Sequence, residues 1–324
     1  MRLLIILFFL SNILVAQLKV YKDNFAHTFS IVAIDKNTGE MGVAVQSHWF
    51  SVGSIVSWGE AGVGVVATQS FVNPSYGTEG LKLLKKGLSP QEALDSLLKM
   101  DEGRDVRQVA ILDAKGRVAA WTGKNCIEYA GHITGDGFSV QANLMKTNRV
   151  WPAMAESFEK SSGPLAERLI AALEAAQAEG GDIRGKQSAA ILIVNPKATG
   201  KPWIDKPIDL RVEDSVHPIK ELKRLLKVYR AYEHMNNGDL AVEKGDNELA
   251  MKEYSAAEEM FPDNLEMKYW HAVTLVNIGE LEKALPLFKE IFSKDQNWKE
   301  LTPRLLKNNL LNADSLSLKK IMEQ

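Results

Sequence analysis

The chain of 324 residues is long enough for about two domains, each with its own core. Its 45% apolar and 25% charged content is that of a soluble protein, and a formal charge of −2 without a basic stripe removes the electrostatic case for binding nucleic acid. Cys126 is the single cysteine, which excludes an internal disulfide, a thiolate zinc site and a CxxC redox pair; no HExxH-like cluster occurs, so neither metal nor cofactor is expected.

Arg2 precedes an apolar run from Leu3 to Leu10, extended through Ile13, Leu14 and Val15 to Ala16. A positive end, a short apolar stretch and a small residue at the cut predict a signal peptide over residues 1–16, hence export and a mature start at Gln17. The run falls short of the about 20 residues that cross a bilayer, so no stable membrane span is expected. Strands are expected over residues 28–35 and 41–46, joined by an Asp-Lys-Asn-Thr-Gly turn. Thr28, which opens the first of them, is either an ordinary β-branched strand residue or an N-terminal nucleophile. In the second case its freed α-amine, with a pKa of about 8, would take the hydroxyl proton.

Strands follow at Ile55–Trp58 and Gly62–Gln69, where the Gly62-Val63-Gly64 pair predicts close backbone approach. Leu81, Leu84 and Leu88 share one face of a helix over Gly77–Leu88. Ala93, Leu94, Leu97 and Leu98 share a face of another over Pro90–Met100, capped by Ser89 with proline at its first position. Strands return at Arg107–Asp113, at Arg117–Thr122 and around Cys126–His132, with Cys126 either a small buried hydrophobe or a catalytic thiol. Helices near Val150–Lys160 and Leu165–Glu179 precede a buried strand, Ala189–Val194. Hairpin strands, paired helices and a further strand predict an α+β layered sandwich rather than a doubly wound parallel sheet.

After Pro207 the character changes, and Val216–Asn236 reads as a charged amphipathic helix. Gly245 and Gly279 stand 34 residues apart, as do Ala250 and Ala284, and Tyr254 and Phe288. That register resembles tetratricopeptide helix hairpins over residues 216–324, with Pro262 ending the first unit; a generic helical bundle is the other reading. Residues 308–324 form a further helix or a frayed end.

The segment from Gly180 to Ser188 is polar and glycine-rich between a helix and a buried strand. Asp182 and Arg184 can pair across it, which makes it either an anion- or carboxylate-binding loop or a helix stop with a structural ion pair. Gln141 and Asn143 lie on one side of a strand, where their amides are candidate oxyanion donors or structural groups. His48 and His132 are candidate acid–base groups, although single histidines are commonly satisfied locally.

Thr28-Phe-Ser-Ile-Val-Ala, Gly42-Val-Ala-Val-Gln-Ser, Ala67-Thr-Gln, Arg107-Gln-Val-Ala, Ala130-Gly-His and Gly180-Gly-Asp-Ile-Arg-Gly-Lys-Gln-Ser-Ala occur in that order. Together they resemble the bacterial and archaeal domain-of-unknown-function family number 1028, whose fold is similar to N-terminal nucleophile (Ntn) hydrolases. The resemblance implies a four-layer αββα sandwich over residues 28–213, followed by the all-α helical repeats. By fold analogy it implies hydrolysis of an amide bond. Members without a leader carry the matching threonine directly after the initiator methionine, whereas Thr28 lies 11 residues beyond Gln17, and Ala142 replaces a glycine common between Gln and Asn.

Two readings follow. In the first, an exported amidohydrolase acts on a small-molecule or peptide substrate. Thr28 is its nucleophile, Asn143 helps the oxyanion hole, and Asp182 and Arg184 shape the site. His48, Gln141, Gln187 and Ser188 contact the substrate. In the second, the sandwich is a non-catalytic module for a ligand or glycan. In both, the repeats recruit a protein partner; nothing in the sequence sets an oligomeric state.

Overall fold

The computed structural model describes residues 25–324; the expected signal peptide and Gln17 lie outside the described residues. The chain divides into two compact units, one ending at Arg224 and one running Leu225–Gln324.

The first unit contains β1 (Phe25–Ala26), β2 (Thr28–Ile34), β3 (Met41–Ser47), β4 (Ser57–Glu60), β5 (Gly64–Phe71) and β6 (Arg107–Asp113). It continues with β7 (Val118–Thr122), β8 (Gly131–Gly135), β9 (Phe138–Ala142), β10 (Ser188–Val194) and β11 (Ile208–Val212). Its helices are α1 (Gly53–Val56), α2 (Ser75–Lys85), α3 (Pro90–Met100), α4 (Val150–Lys160) and α5 (Leu165–Ala178). All strand pairs are antiparallel. One sheet runs β1-β5-β6-β7 with β4 also on β5, and the other runs β11-β10-β3-β2-β9-β8.

Side chains alternate across a strand, so each central strand offers one face to the other sheet and one to helices. Val32, Ile34, Val43 and Val45 meet Val65, Ala67, Ala110 and Leu112 in the core between the sheets. On the outer faces, α2 and α3 pack against the β5–β6–β7 sheet and α4 and α5 against the β2–β3–β9 sheet. With both faces covered, β2, β3, β5 and β6 are buried throughout, which is why they read as near-continuous apolar runs. Gly64 is needed where β5 meets β6, because a Cβ there would lie 2.3 Å from the Leu112 carbonyl oxygen. Ser89 caps α3 through a full capping box with Glu92.

Three expectations are corrected. Ile55 belongs to the short helix α1 and the strand begins only at Ser57, since a short apolar run has no period that separates helix from strand. Residues 123–130 form turns and bends, with the strand starting at Gly131, and Cys126 is half-buried in that loop with its thiol on the Arg107 carbonyl at 3.3 Å. Gly62 sits in a turn at φ +71° rather than inside a strand. Strand β11 was not anticipated; its polar, half-exposed pattern carries little periodic signal.

A helix α6 (Pro218–Glu243) begins in the first unit. The second unit continues with α7 (Asn247–Met260), α8 (Leu265–Asn277), α9 (Leu281–Lys294), α10 (Gln296–Leu301) and α11 (Ser315–Met322). Ala250 and Tyr254 of α7 and Ala284 and Phe288 of α9 are all buried. Gly245 and Gly279 take φ +72° and +86° in the turns before those helices, a region glycine enters without steric cost. Among the described residues, no helix is long and apolar enough to cross a membrane.

Candidate functional site

Three strand ends set the site. The register pairs Thr28 of β2 with Ser47 of β3, and Ser47 in turn with Ser188 of β10. These hydroxyl side chains therefore form one row, all buried, at the end of the sheet where the Asp182–Gln187 loop enters β10.

The carbonyl oxygen of His27, the residue before Thr28, accepts two hydrogen bonds: from Ser47 Oγ at 2.6 Å and from Arg184 Nη2 at 2.7 Å. Arg184 is held for this by Asp182, with Nε on Oδ1 at 3.0 Å and Nη2 on Oδ2 at 2.7 Å. The Asp182 side chain is fully buried and also accepts from the backbone N–H groups of Arg184 and His48. A planar fork on a buried carboxylate fixes the guanidinium direction as well as its charge. Thr28 Oγ1 donates to the Ala26 carbonyl at 2.6 Å, and Thr28 has no exposed surface.

Behind this row a chain of amides runs between the sheets. Gln108 Oε1 accepts from Gln69 Nε2 at 2.7 Å and from Asn143 Nδ2 at 2.8 Å, while Gln108 Nε2 donates to the Ala142 carbonyl at 2.9 Å. Gln69 Oε1 accepts from Ser30, whose hydroxyl accepts from Gln141 Nε2, each at 2.6 Å. Asn143 Oδ1 accepts from His27 Nδ1 at 2.7 Å, and the Asn143 backbone N–H bonds the Thr28 carbonyl at 3.1 Å. Burial pushes the His27 imidazole pKa down, with the Asn143 bond opposing and the Arg184 charge adding, so the ring is neutral near pH 7. His132 is likewise shifted down by burial and bonds, at 2.8 Å, Thr122, whose hydroxyl accepts from Gln108 Nε2.

Backbone strain collects in the same region. Ser51, Ser70 and Leu144 hold φ of 56°, 74° and 59°; Leu144 follows Asn143, and Ser70 pairs with Ala26 and with Arg107. Non-glycine residues in this region each cost about 1 kcal/mol and persist where surroundings impose them, a pattern common at functional sites.

The structure thus brings Thr28, Asn143, Asp182 and Arg184 together around the His27 carbonyl and ring. Gln141 lies in the inter-sheet amide chain rather than at an open surface. Ser188 is a pin for the loop after β3, accepting from the Val52 N–H and donating to the Trp49 carbonyl. Gln187 is tied by its backbone to Ser47 and Ser215, and His48 is exposed beside Gly185. Sequence reading missed Ser47, Gln69, Gln108 and His27. The signal was available for two: a glutamine on an otherwise apolar inner face of a strand must find partners, and both Gln69 (with Val65 and Ala67) and Gln108 (with Ala110 and Leu112) stand so. No cluster of three or more His, Cys, Asp or Glu side chains placed to hold a metal occurs among the described residues.

No curated protein matches the chain. A crystal structure of a protein from Silicibacter pomeroyi, assigned to family DUF1028, matches with 33% identity and a TM-score of 0.57, over 62% of this chain and 85% of that one. The Anbu (ancestral beta-subunit) protein of Yersinia bercovieri matches at 11% identity and a TM-score of 0.32, over 61% and 92% of the two chains, too low to carry an argument. The profile of the family of unknown function DUF1028 matches residues 28–222, more than half the chain and starting at Thr28, and the chain belongs to that family.

Proposed function

We propose that the protein is an exported Ntn-type amidohydrolase, a four-layer αββα sandwich whose nucleophile, Thr28, is released by cleavage of the His27–Thr28 bond. The observation that carries this reading is the pair of donors, Ser47 Oγ and Arg184 Nη2, on the carbonyl oxygen immediately before Thr28. Attack of Thr28 Oγ1 on the His27 carbonyl carbon closes a five-membered ring and puts negative charge on that oxygen. The C–N bond then breaks, the hydroxyl proton passes to the Thr28 nitrogen, and an ester joins His27 to Thr28 Oγ1. Water cleaves the ester, leaving a free amine of pKa about 8 beside the hydroxyl it activates. A substrate amide would place its oxygen between the same two donors, each worth about 3 kcal/mol to the developing oxyanion. Helix pairs on the outer faces of the two sheets, and a family match that begins at Thr28, support the reading.

The C-terminal helices are tetratricopeptide-like repeats that bind a protein partner; the 34-residue spacing of the Gly245/Gly279, Ala250/Ala284 and Tyr254/Phe288 pairs supports this. Export rests on Arg2 and the apolar run that follows it.

Intact mass and N-terminal sequencing of the exported protein test the nucleophile. A chain starting at Thr28 that hydrolyses members of an amide library is the expected result. A second reading, a non-catalytic ligand- or glycan-binding module, is favoured by the complete burial of Thr28 and its bond to Ala26. A chain that stays intact through His27–Thr28 and turns over no amide selects the second reading.

A further inference from the structure

The first strand does not join the sheet that Thr28 opens. Thr28 starts β2, but Phe25 and Ala26 pair with Phe71 and Ser70 of β5 in the other sheet. One edge of β5 is occupied by β6 along Gly64–Ser70. On the other edge β4 pairs with Gly64–Ala67 and goes no further, so β1 fills a stretch that would otherwise be open. An open strand edge is a template for an added extended chain.

Ala26 and His27 are seated rather than laid on the surface. Ala26 has no exposed area and His27 is 2% exposed. The His27 ring stands edge-on to Phe71 at a centroid distance of 5.5 Å and donates to Asn143 Oδ1. The Asn143 amide nitrogen is already committed to Gln108, so toward His27 this side chain offers an acceptor only. The His27 carbonyl oxygen accepts from Ser47 and Arg184. Strand edge, side-chain socket and carbonyl donors thus grip three consecutive residues on the acyl side of Thr28.

Resting on the hydrolase reading above, we infer that Phe25–His27 fills the acyl-side groove of the Thr28 site. Once vacated, the groove takes an extended peptide whose attacked carbonyl belongs to a residue with a planar, N–H-bearing side chain. The last residue fits between Phe71 and Asn143, and the residues before it pair with Ser70 and Phe71. Aliphatic and acidic side chains leave the Asn143 oxygen without a donor and are selected against.

The test is binding of fluorescein-labelled Asn-Phe-Ala-His, with a free carboxylate, followed by anisotropy. A chain starting at Thr28 should bind it saturably and at least about tenfold more tightly than the full chain, whose own segment fills the groove. Changing the probe's histidine to alanine should weaken binding about tenfold, and Asn143→Ala should make the two probes equal. In case the shortened chain does not fold, the full chain carrying Ala26→Glu, which cannot keep that residue buried, should acquire the same binding. Equal affinity of the opened and intact chains, or no difference between the histidine and alanine probes, overturns the inference. Histidine-dependent binding without turnover of any amide would leave the groove standing and remove the hydrolase reading. Turnover indifferent to the acyl side chain would do the reverse.

Discussion

Arg184 reaches back across 157 residues of sequence to donate to the carbonyl oxygen of His27, at 2.7 Å. The same nitrogen lies 2.7 Å from Asp182 Oδ2, so the carboxylate and the carbonyl share one end of the guanidinium fork. A positive charge held in this way polarises the peptide bond ahead of Thr28.

If that polarisation drives release of Thr28, then Ser47→Ala and Arg184→Met should slow the cleavage by about a hundredfold each, the usual loss for an oxyanion donor. Thr28→Ala should abolish it with little change in stability, about 1 kcal/mol. Time-resolved intact mass after expression reads both. Release at the wild-type rate in Arg184→Met would detach this guanidinium from the chemistry.

Removing Arg184 also leaves a buried carboxylate without its cation. Arg184→Met should destabilise the protein by about 3 kcal/mol, while Asp182→Asn combined with it should recover much of that loss. Urea unfolding of the single and double variants measures the difference. A single variant as stable as wild type would mean that the two backbone N–H bonds to Asp182 suffice.

The Gln108 side chain bonds five partners, so Gln108→Leu should strand the amides of Gln69 and Asn143 and cost about 2–4 kcal/mol. Asn143, freed to turn, should also lose its grip on His27. An equilibrium melt within about 0.5 kcal/mol of wild type would show that the inter-sheet chain is dispensable.

Stability should fall with acid. Burial holds the pKa of His27 and of His132 below the ordinary value, so in the folded state both bind a proton less readily than in the unfolded chain. The stabilisation is fully present above the unfolded pKa of about 6.5 and is lost as pH falls through the depressed folded values. Melts at about pH 7.5 and 5.5 should differ, and His132→Asn should reduce the difference. An unchanged slope in that variant would assign the acid sensitivity to other groups.

In the second unit, Phe288→Ala should cost about 3–5 kcal/mol, since the ring is fully buried against Tyr269 and Phe292. Ala284→Leu should cost about 1–3 kcal/mol by overpacking. Both are read by denaturant unfolding, and tolerance of leucine at 284 would argue against close packing there.

Much of this architecture could be read along the chain. Helix α3 from Pro90 to Met100, strand β6 from Arg107 to Asp113 and helix α4 from Val150 to Lys160 have the bounds their periodicity predicts, because cap, turn and apolar spacing are local signals. The Asp182–Arg184 pair was legible too, being two residues apart in a glycine-rich loop. Ala250, Tyr254, Ala284 and Phe288, the pairs set by the 34-residue spacing, are all buried in the C-terminal helices. The company that Thr28 keeps is set instead by contacts distant in sequence. That Ser47 and Arg184 meet on the His27 carbonyl depends on sheet register, and that β1 leaves for the edge of β5 depends on where β4 stops. Neither hydrogen-bond partner is encoded by a neighbour in sequence: a one-residue slip in β3 would turn Ser47 to the opposite face while leaving every local propensity unchanged.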